Sequence, residues 1–250
     1  MICDAHHGGA FWPHDMQSEE GAEMKRKITS GMTMRLLICS LGTAASCILL
    51  CARDQAESGT KSELFLGMLV DTSAHQKRVI EFEREVVNSI LDRFYGMATE
   101  GFVIKYSDKI ELLQDWSPLE TERNKVAAQI ELDVESSKRN RTLLNDALNA
   151  GLLKLKERSD SGSKVLIIIG EGNDSGSVTR YSEIKKLARS AHVQCFALQV
   201  ADHASMGGRI RYFGFYPYDL AGATKGKGYE IGASRKDLDR AIKDVLKRIH

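Results

Sequence analysis

The chain has 250 residues, of which 42% are hydrophobic, and this is enough to bury one sizeable core. Its formal net charge is only +1, with acidic and basic residues mixed along the chain, which excludes a nucleic-acid-binding footprint and a polybasic membrane patch in the folded part. Of the five cysteines, only Cys195 lies within the predicted domain, so neither a disulfide framework nor a cysteine-based zinc site is available there.

The amino-terminal part of the chain predicts a leader that is separate from the domain. Residues 1–23 precede two plausible start methionines, and we interpret them as disordered or untranslated. The uncharged stretch 36–52 follows basic residues, as in an export signal, so residues 24–52 are predicted to be a signal peptide or membrane anchor, with cleavage, retention and lipidation all open. A polar linker, 53–62, then leads to the domain, 63–250, which we expect in the periplasm, the cell envelope or outside the cell.

The most informative segment is an apolar run, LFLGMLV at 64–70, that continues directly into Asp71, Thr72 and Ser73. An unbroken apolar run of this length is typical of a strand buried on both faces of a parallel sheet. Asp71 and Ser73 then lie at the carboxyl end of that strand, where open α/β sheets bind ligands. Their carboxylate and hydroxyl, two residues apart, can converge on one hard cation such as Mg²⁺.

After this strand the apolar spacing alternates between helical and strand-like, which predicts a parallel α/β sheet. The predicted elements begin with a helix at 75–95, a hairpin of strands at 101–106 and 109–113, and a helix capped by Ser117 and ending near Ile130. Next come a polar loop to Thr142, a helix at 143–158, a strand at 165–169 and a helix through 181–188. The last predicted elements are a strand at 193–200, a long connection at 201–219, a strand at 229–231 and a helix capped by Ser234 and Asp237.

Two further loops leave the carboxyl ends of predicted strands. The strand at 165–169 ends in a loop of glycines and acids that includes Glu171 and Asp174. The connection at 201–219 is rich in glycine and aromatic residues, and exposed aromatics there would form a binding rim. The alternative is that these aromatics fold back over the sheet edge. We favour that alternative for the two phenylalanines and keep the tyrosines as candidate partner-binding residues: Tyr212, Tyr216 and Tyr218.

In this order the elements resemble the von Willebrand factor A (vWA) domain, in particular the exported bacterial proteins labelled VWFA-related, over about Glu63 to Ile249. The resemblance is carried by DTSAH, FVIKYSDKIELLQDWS, TLLNDAL and GEGNDSGS, and by a terminal helix that follows an aromatic strand. It implies an α/β, Rossmann-like open sheet, mostly parallel with one antiparallel edge strand and helices on both faces.

The resemblance also implies a metal-ion-dependent adhesion site (MIDAS), which takes oxygens from three loops. Carried over residue by residue, it implicates Asp71, Ser73, Thr142 and Glu171, together with His75, which stands where the family has a second serine. Imidazole is a poor partner for Mg²⁺ and an acceptable one for Mn²⁺, and Glu171 replaces the aspartate of S-D-G. One bound Mg²⁺ or Mn²⁺ and a decayed cation site are therefore both open.

Each of these residues also has a purely structural interpretation. Asp71, Ser73 and Thr142 are types that tight turns and helix starts favour, His75 would be a solvated first-turn residue, and Glu171 a loop acid. Their joint position at strand ends favours the site, because vWA topology brings these loops to one edge of the sheet.

The resemblance favours a non-enzymatic exported module that binds another protein, with an acidic residue of that partner completing the coordination of the cation. The sequence has no G-x-S-x-G elbow, P-loop, paired-cysteine motif or H-E-x-x-H, so we expect no enzyme. Two alternatives stay open: a structural vWA domain with a decayed cation site and, less favoured, an uncharacterised hydrolase.

Overall fold

A computed structural model describes residues 63–119, 123–133, 141–200, 216–232 and 234–249, all within one compact unit that spans Gly59–His250. The predicted leader, anchor and linker and the rim candidate Tyr212 lie outside the described residues. Within those ranges, every helix is too short or too polar to cross a lipid bilayer.

The centre of the domain is a sheet in the order β3-β2-β1-β4-β5-β6. The strand β3 pairs antiparallel with β2, and the other neighbours pair parallel. The carboxyl ends of β1, β2, β4 and β5 therefore meet at one edge, as predicted. The strands are β1 (Leu64–Asp71), β2 (Glu100–Tyr106), β3 (Ile110–Ser117), β4 (Ser163–Gly170), β5 (Val193–Gln199) and β6 (Gly228–Glu230).

Helices cover both faces of this sheet. One face packs against α1 and α6, and the other packs against α3, α4 and part of α5. A 3₁₀ turn, Ala74–Arg78, lies between β1 and α1. The helices are α1 (Ile80–Phe94), α2 (Arg123–Ala128), α3 (Leu144–Lys156), α4 (Tyr181–Ser190), α5 (Tyr216–Ala223) and α6 (Arg235–Arg248).

The strand β1 shows why the sheet is buried on both sides. Its residues alternate between two hydrophobic clusters, with Leu66, Met68 and Val70 in one and Phe65 and Leu69 in the other. All eight residues of β1 are buried. The apolar run thus contributes to both layers of the core, which is the behaviour expected of a central parallel strand.

Two predicted elements differ in the structure. Ser117 does not cap a helix; it is the last residue of β3, where its Oγ accepts a hydrogen bond from Gln114 Nε2 at 2.5 Å. Residues 216–219, predicted as part of a connection, belong to α5. By contrast, the Ser234 cap is confirmed, because its hydroxyl accepts from the backbone N–H of Asp237 at 3.3 Å.

Candidate functional site

Asp71 ends β1 with its carboxylate fully buried. Its Oδ1 accepts a hydrogen bond from the backbone N–H of Ser73 at 2.9 Å, and its Oδ2 accepts from Gln76 Nε2 at 3.3 Å. Burial raises the pKa of Asp71, and these donors oppose that rise. The Ser73 hydroxyl lies near enough to lower the pKa of Asp71 as well, but it does not meet hydrogen-bond geometry.

Thr142 reaches the same edge just before α3. Its backbone N–H donates to Ser175 Oγ at 2.9 Å, and its carbonyl accepts from the N–H of Ser175 at 3.0 Å. Its own Oγ1 is buried and has no hydrogen-bond partner among the described residues. The hydroxyl therefore does not cap α3, as its purely structural interpretation required.

The loop after β4 caps α3 in place of Thr142. Asp174 accepts from the backbone N–H of Asn145 at 3.1 Å and from Asn145 Nδ2 at 3.2 Å. In return, the Asp146 carboxylate accepts from the N–H groups of Val178 and Thr179, at 3.1 and 2.9 Å. These reciprocal bonds fix the Glu171 loop against the Thr142 loop.

The loop after β1 is joined to the start of α3 by a series of hydrogen bonds. The N–H of Asp133 donates to the Thr72 carbonyl at 2.8 Å, and Ser107 Oγ donates to Asp133 Oδ2 at 2.7 Å. The N–H of Leu143 in turn donates to the Ser107 carbonyl at 2.8 Å. Hydrogen bonds thus join the segments that follow β1 and β2 to the start of α3, so the loops predicted to share an edge do so.

Glu171 and His75 lie within the electrostatic range of Asp71. Glu171 is partly buried, and its Oε2 accepts from Asn173 Nδ2 at 3.1 Å. Burial raises the pKa of Glu171, the Asp71 carboxylate raises it further, and His75 lowers it. His75 itself is exposed in the 3₁₀ turn. The assignment of all five residues as metal ligands stays a prediction.

The residues at this edge fit a hard cation better than a soft one. Among the described residues, no group of three or more His, Cys, Asp or Glu side chains is placed to hold a metal. This edge carries the Asp71 carboxylate and, on two of its loops, the buried hydroxyls of Ser73 and Thr142, which have no hydrogen-bond partner among the described residues. Leaving a buried polar atom unsatisfied costs about 1–3 kcal/mol, and a divalent ion with oxygen ligands would satisfy such atoms.

One residue of this neighbourhood was not predicted from the sequence. Glu83 on α1 is fully buried, and neither of its carboxylate oxygens has a hydrogen-bond partner in the described structure. Burial raises the pKa of Glu83 well above its usual range, and the Asp71 and Glu171 carboxylates add to the rise. The sequence signal that could have predicted its burial is its spacing: Glu83 lies four residues after Val79 and three before Val86, on the apolar face of the helix.

The two described rim candidates are packed against their neighbours. The Tyr216 ring contacts the Tyr181 ring with centroids 4.8 Å apart, and Tyr181 Oη donates to the Tyr216 carbonyl at 2.9 Å. The Tyr216 hydroxyl is buried. Tyr218 Oη donates to Gln199 Oε1 at 2.9 Å. Both tyrosines thus contact other residues of the domain, and a role for them in partner binding stays a prediction.

No family model matches the sequence, and no curated protein matches it. Solved structures do match. BatB from Bacteroides thetaiotaomicron aligns with a TM-score of 0.55 and 13% identity over 75% of this chain and 98% of that one. A von Willebrand factor type A protein from Catenulispora acidiphila aligns with a TM-score of 0.56 and 12% identity over 74% of this chain and 43% of that one.

A third similar structure is proximal thread matrix protein 1 from the mussel byssus, with a zinc-occupied MIDAS motif. It aligns with a TM-score of 0.57 and 16% identity over 74% of this chain and 45% of that one. The chain thus matches less than half the length of the mussel and Catenulispora proteins. At these identities the similarity establishes the fold alone, and the described domain has the α/β fold of von Willebrand factor A domains.

Proposed function

We propose that this chain is an exported bacterial protein-binding module whose vWA-like domain holds one divalent cation with Asp71, Ser73 and Thr142. The observation that carries the proposal is the Thr142 hydroxyl, which is buried, has no hydrogen-bond partner in the described structure and lies on a loop tied to the site edge. A hydroxyl that neither caps its helix nor bonds a neighbour is costly unless a ligand uses it.

The chemistry of these ligands indicates how a partner binds. Asp71, Ser73 and Thr142 supply three oxygen ligands, and a hard divalent ion takes about six or more, so coordination positions stay open. A carboxylate of a partner protein fills one of these positions and completes the coordination. Glu171 reaches the ion through water, and the imidazole of His75 favours Mn²⁺ over Mg²⁺.

Two further parts of the proposal come from other observations. Export is supported by the basic flank and the uncharged stretch at 36–52. A cation is supported by the mussel protein, in which a similar fold carries zinc in its MIDAS motif. We propose no catalytic role.

A second candidate is a structural vWA domain in which the cation site has decayed. It is favoured by one observation: both oxygens of the Asp71 carboxylate already accept hydrogen bonds, from the backbone N–H of Ser73 and from the Gln76 amide. On that account these donors replace the ion, and the domain binds partners through other surface loops.

Thermal melting of the full chain separates the two candidates. A cation at about 100 times its dissociation constant adds about 2.7 kcal/mol to folding, and this is about 5–10 °C for a domain of this size. We expect Mn²⁺ or Mg²⁺ to raise the melting temperature relative to chelator, and Asp71→Ala to abolish the rise. Asp239→Ala, on the exposed side of α6, is the matched control and keeps the rise. A wild type with no shift in Mg²⁺, Mn²⁺ or Ni²⁺ supports the decayed site.

Partner binding is tested with a tagged chain incubated with envelope extract in the presence and absence of chelator. We expect a protein that is recovered by the wild type, lost on chelation and not recovered by Asp71→Ala. Recovery that is indifferent to chelator and to Asp71→Ala contradicts a cation-mediated contact.

A further inference from the structure

Glu83 is a carboxylate in a place where carboxylates are rare. It is fully buried on α1, whose other buried residues are apolar and belong to the hydrophobic core, among them Ile80, Val86 and Val87. Its backbone N–H donates to the Val79 carbonyl at 2.9 Å, as a helical residue should, but both side-chain oxygens lack a partner among the described residues. An isolated buried carboxylate is strongly unfavourable unless something compensates its charge.

Other buried side-chain oxygens in this part of the fold also lack hydrogen-bond donors among the described residues. The described structure leaves several buried side-chain oxygens near this edge without a hydrogen-bond donor: Ser73 Oγ, Gln76 Oε1, Thr142 Oγ1 and both oxygens of Glu83. Gln76 connects two of these positions, because its Nε2 donates to Asp71 while its Oε1 stays unsatisfied. Each of these atoms can accept, and a divalent cation is the species that satisfies several acceptors at once.

Glu83 lies within the electrostatic range of the proposed cation ligands. Asp71 and Glu171 are the two carboxylates whose charges raise the pKa of Glu83, and no cation is among the groups that shift it in the described structure. Asp71 also raises the pKa of Glu171 and of the buried Tyr106 hydroxyl. Acidic groups are therefore concentrated at this point of the fold, and the exposed His75 offsets part of their effect at Asp71 and Glu171.

We propose that the carboxylate of Glu83 is a further ligand of the cation and that, together with Asp71, it supplies the two negative charges that neutralise a divalent ion. This inference rests on the proposed function and deepens it. In the residue-by-residue resemblance Asp71 is accompanied by Ser73, His75, Thr142 and Glu171, whereas here α1 adds a further carboxylate. Two carboxylates with hydroxyl and amide oxygens are hard donors, which favour Mg²⁺, Ca²⁺ and Mn²⁺ over Zn²⁺ and Ni²⁺. A neutralised ion is also retained when no partner is bound.

The test is calorimetric titration of the full chain with MnCl₂. Glu83→Gln keeps the size of the side chain and removes its charge, and we expect the Mn²⁺ affinity to fall about 10- to 100-fold. Glu81→Gln is the matched control, because it is the same substitution on the same helix at a side chain that is 77% exposed and pairs with Arg84. Its Mn²⁺ affinity should equal that of the wild type.

Melting in chelator distinguishes a ligand from a structural residue. With no cation present, Glu83→Gln should melt at or above the wild-type temperature, because the amide removes an uncompensated buried charge. Should Glu83→Gln fold poorly, Glu83→Met fills the same space with an apolar side chain and must show the same loss of Mn²⁺ affinity.

Three outcomes overturn the inference, and they separate it from the proposed function. If the wild type and Glu83→Gln bind Mn²⁺ equally while Asp71→Asn does not, Glu83 is not part of the site and the proposed function stands. If Glu83→Gln and Glu83→Met melt well below the wild type in chelator and keep Mn²⁺ affinity when folded, Glu83 is structural. If the wild type binds no Mn²⁺, both proposals fail.

Discussion

Gly170 lies against Asp71 so closely that a Cβ added to Gly170 would be 2.4 Å from the Asp71 Cβ and 3.2 Å from its Oδ2. Gly170 also has a φ of +142°, a backbone conformation that side chains with a Cβ rarely adopt. It is the last residue of β4, directly after the residue that pairs with Val70 of β1. The missing side chain is therefore what allows the end of β4 to pass the buried carboxylate.

We predict that Gly170→Ala destabilises the fold and displaces Asp71. The positive φ alone costs about 1–3 kcal/mol, and the clash with Asp71 adds to it. Urea unfolding measures the loss, and a Mn²⁺ titration of the folded fraction should show weaker binding. Gly222→Ala, where an added Cβ meets nothing within 4 Å, is the control and should be neutral or stabilising. Equal stability of Gly170→Ala and wild type would contradict the prediction, because it would show that the backbone near Asp71 accommodates the added methyl group without cost.

The capping of α3 by Asp174 gives a second prediction. Asp174→Ala removes the acceptor of the Asn145 backbone N–H, and we expect a loss of about 0.5–2 kcal/mol in the free energy of unfolding. The same change frees the loop that carries Glu171, so cation affinity should fall. Glu157→Ala, an exposed position at the carboxyl end of α3, should change stability by less than about 0.5 kcal/mol. An Asp174→Ala variant as stable as Glu157→Ala would contradict the cap.

The fold could be predicted because its strongest signals are local. The apolar runs that became β1 and β4 are long enough to require burial on both faces, and this fixes a parallel sheet with helices on each side. The helix α5 was missed because its eight residues include Pro217 and Gly222, which lower its helix propensity. Ser117 was misassigned because serine suits a helix cap locally, whereas pairing with β2 keeps it in the sheet.

The candidate site was predictable only in part. Asp71 and Ser73 follow an apolar strand, so their place at the sheet edge follows from the sequence. The cap of α3 did not, because the acceptor comes from Asp174, 29 residues beyond Asn145. Glu83 was missed because one glutamate within an amphipathic helix is usually a surface residue, and its burial depends on how α1 packs on the sheet.

The pH dependence of stability should report on Asp244 of α6. Its carboxylate accepts from Lys227 Nζ at 2.9 Å, and this bond, with those from Tyr229 and Arg248, lowers the pKa of Asp244 to about 2. A lowered folded-state pKa gives stability that is present above the unfolded pKa, near 3.8, and is lost as the pH falls through about 2.

Asp244→Asn measures that contribution. The stability difference between wild type and Asp244→Asn should be full above about pH 5 and should shrink steadily as the pH falls toward 2. In a Lys227→Met background the difference should be smaller at every pH, because the principal donor is absent. A difference that is constant from pH 2 to pH 5 would contradict the assigned ion pair.

Cys195 should be chemically inert in the folded protein. The thiol is fully buried on β5, and burial raises its pKa to about 12. Iodoacetamide at pH 8, followed by mass spectrometry of the peptide that contains Cys195, should show modification only after unfolding. Rapid labelling of this peptide in the native protein would show that β5 opens easily.

The central claim is that the Thr142 hydroxyl serves a cation, and Thr142→Val tests it most directly. The variant replaces the unpartnered Oγ1 by a methyl group, so in chelator its melting temperature should equal or exceed that of the wild type. On addition of Mn²⁺ the wild type should gain about 5–10 °C, whereas Thr142→Val should gain little or nothing. A variant that keeps the full Mn²⁺ shift would contradict the account, because the ion would then be held without the loop that defines the site.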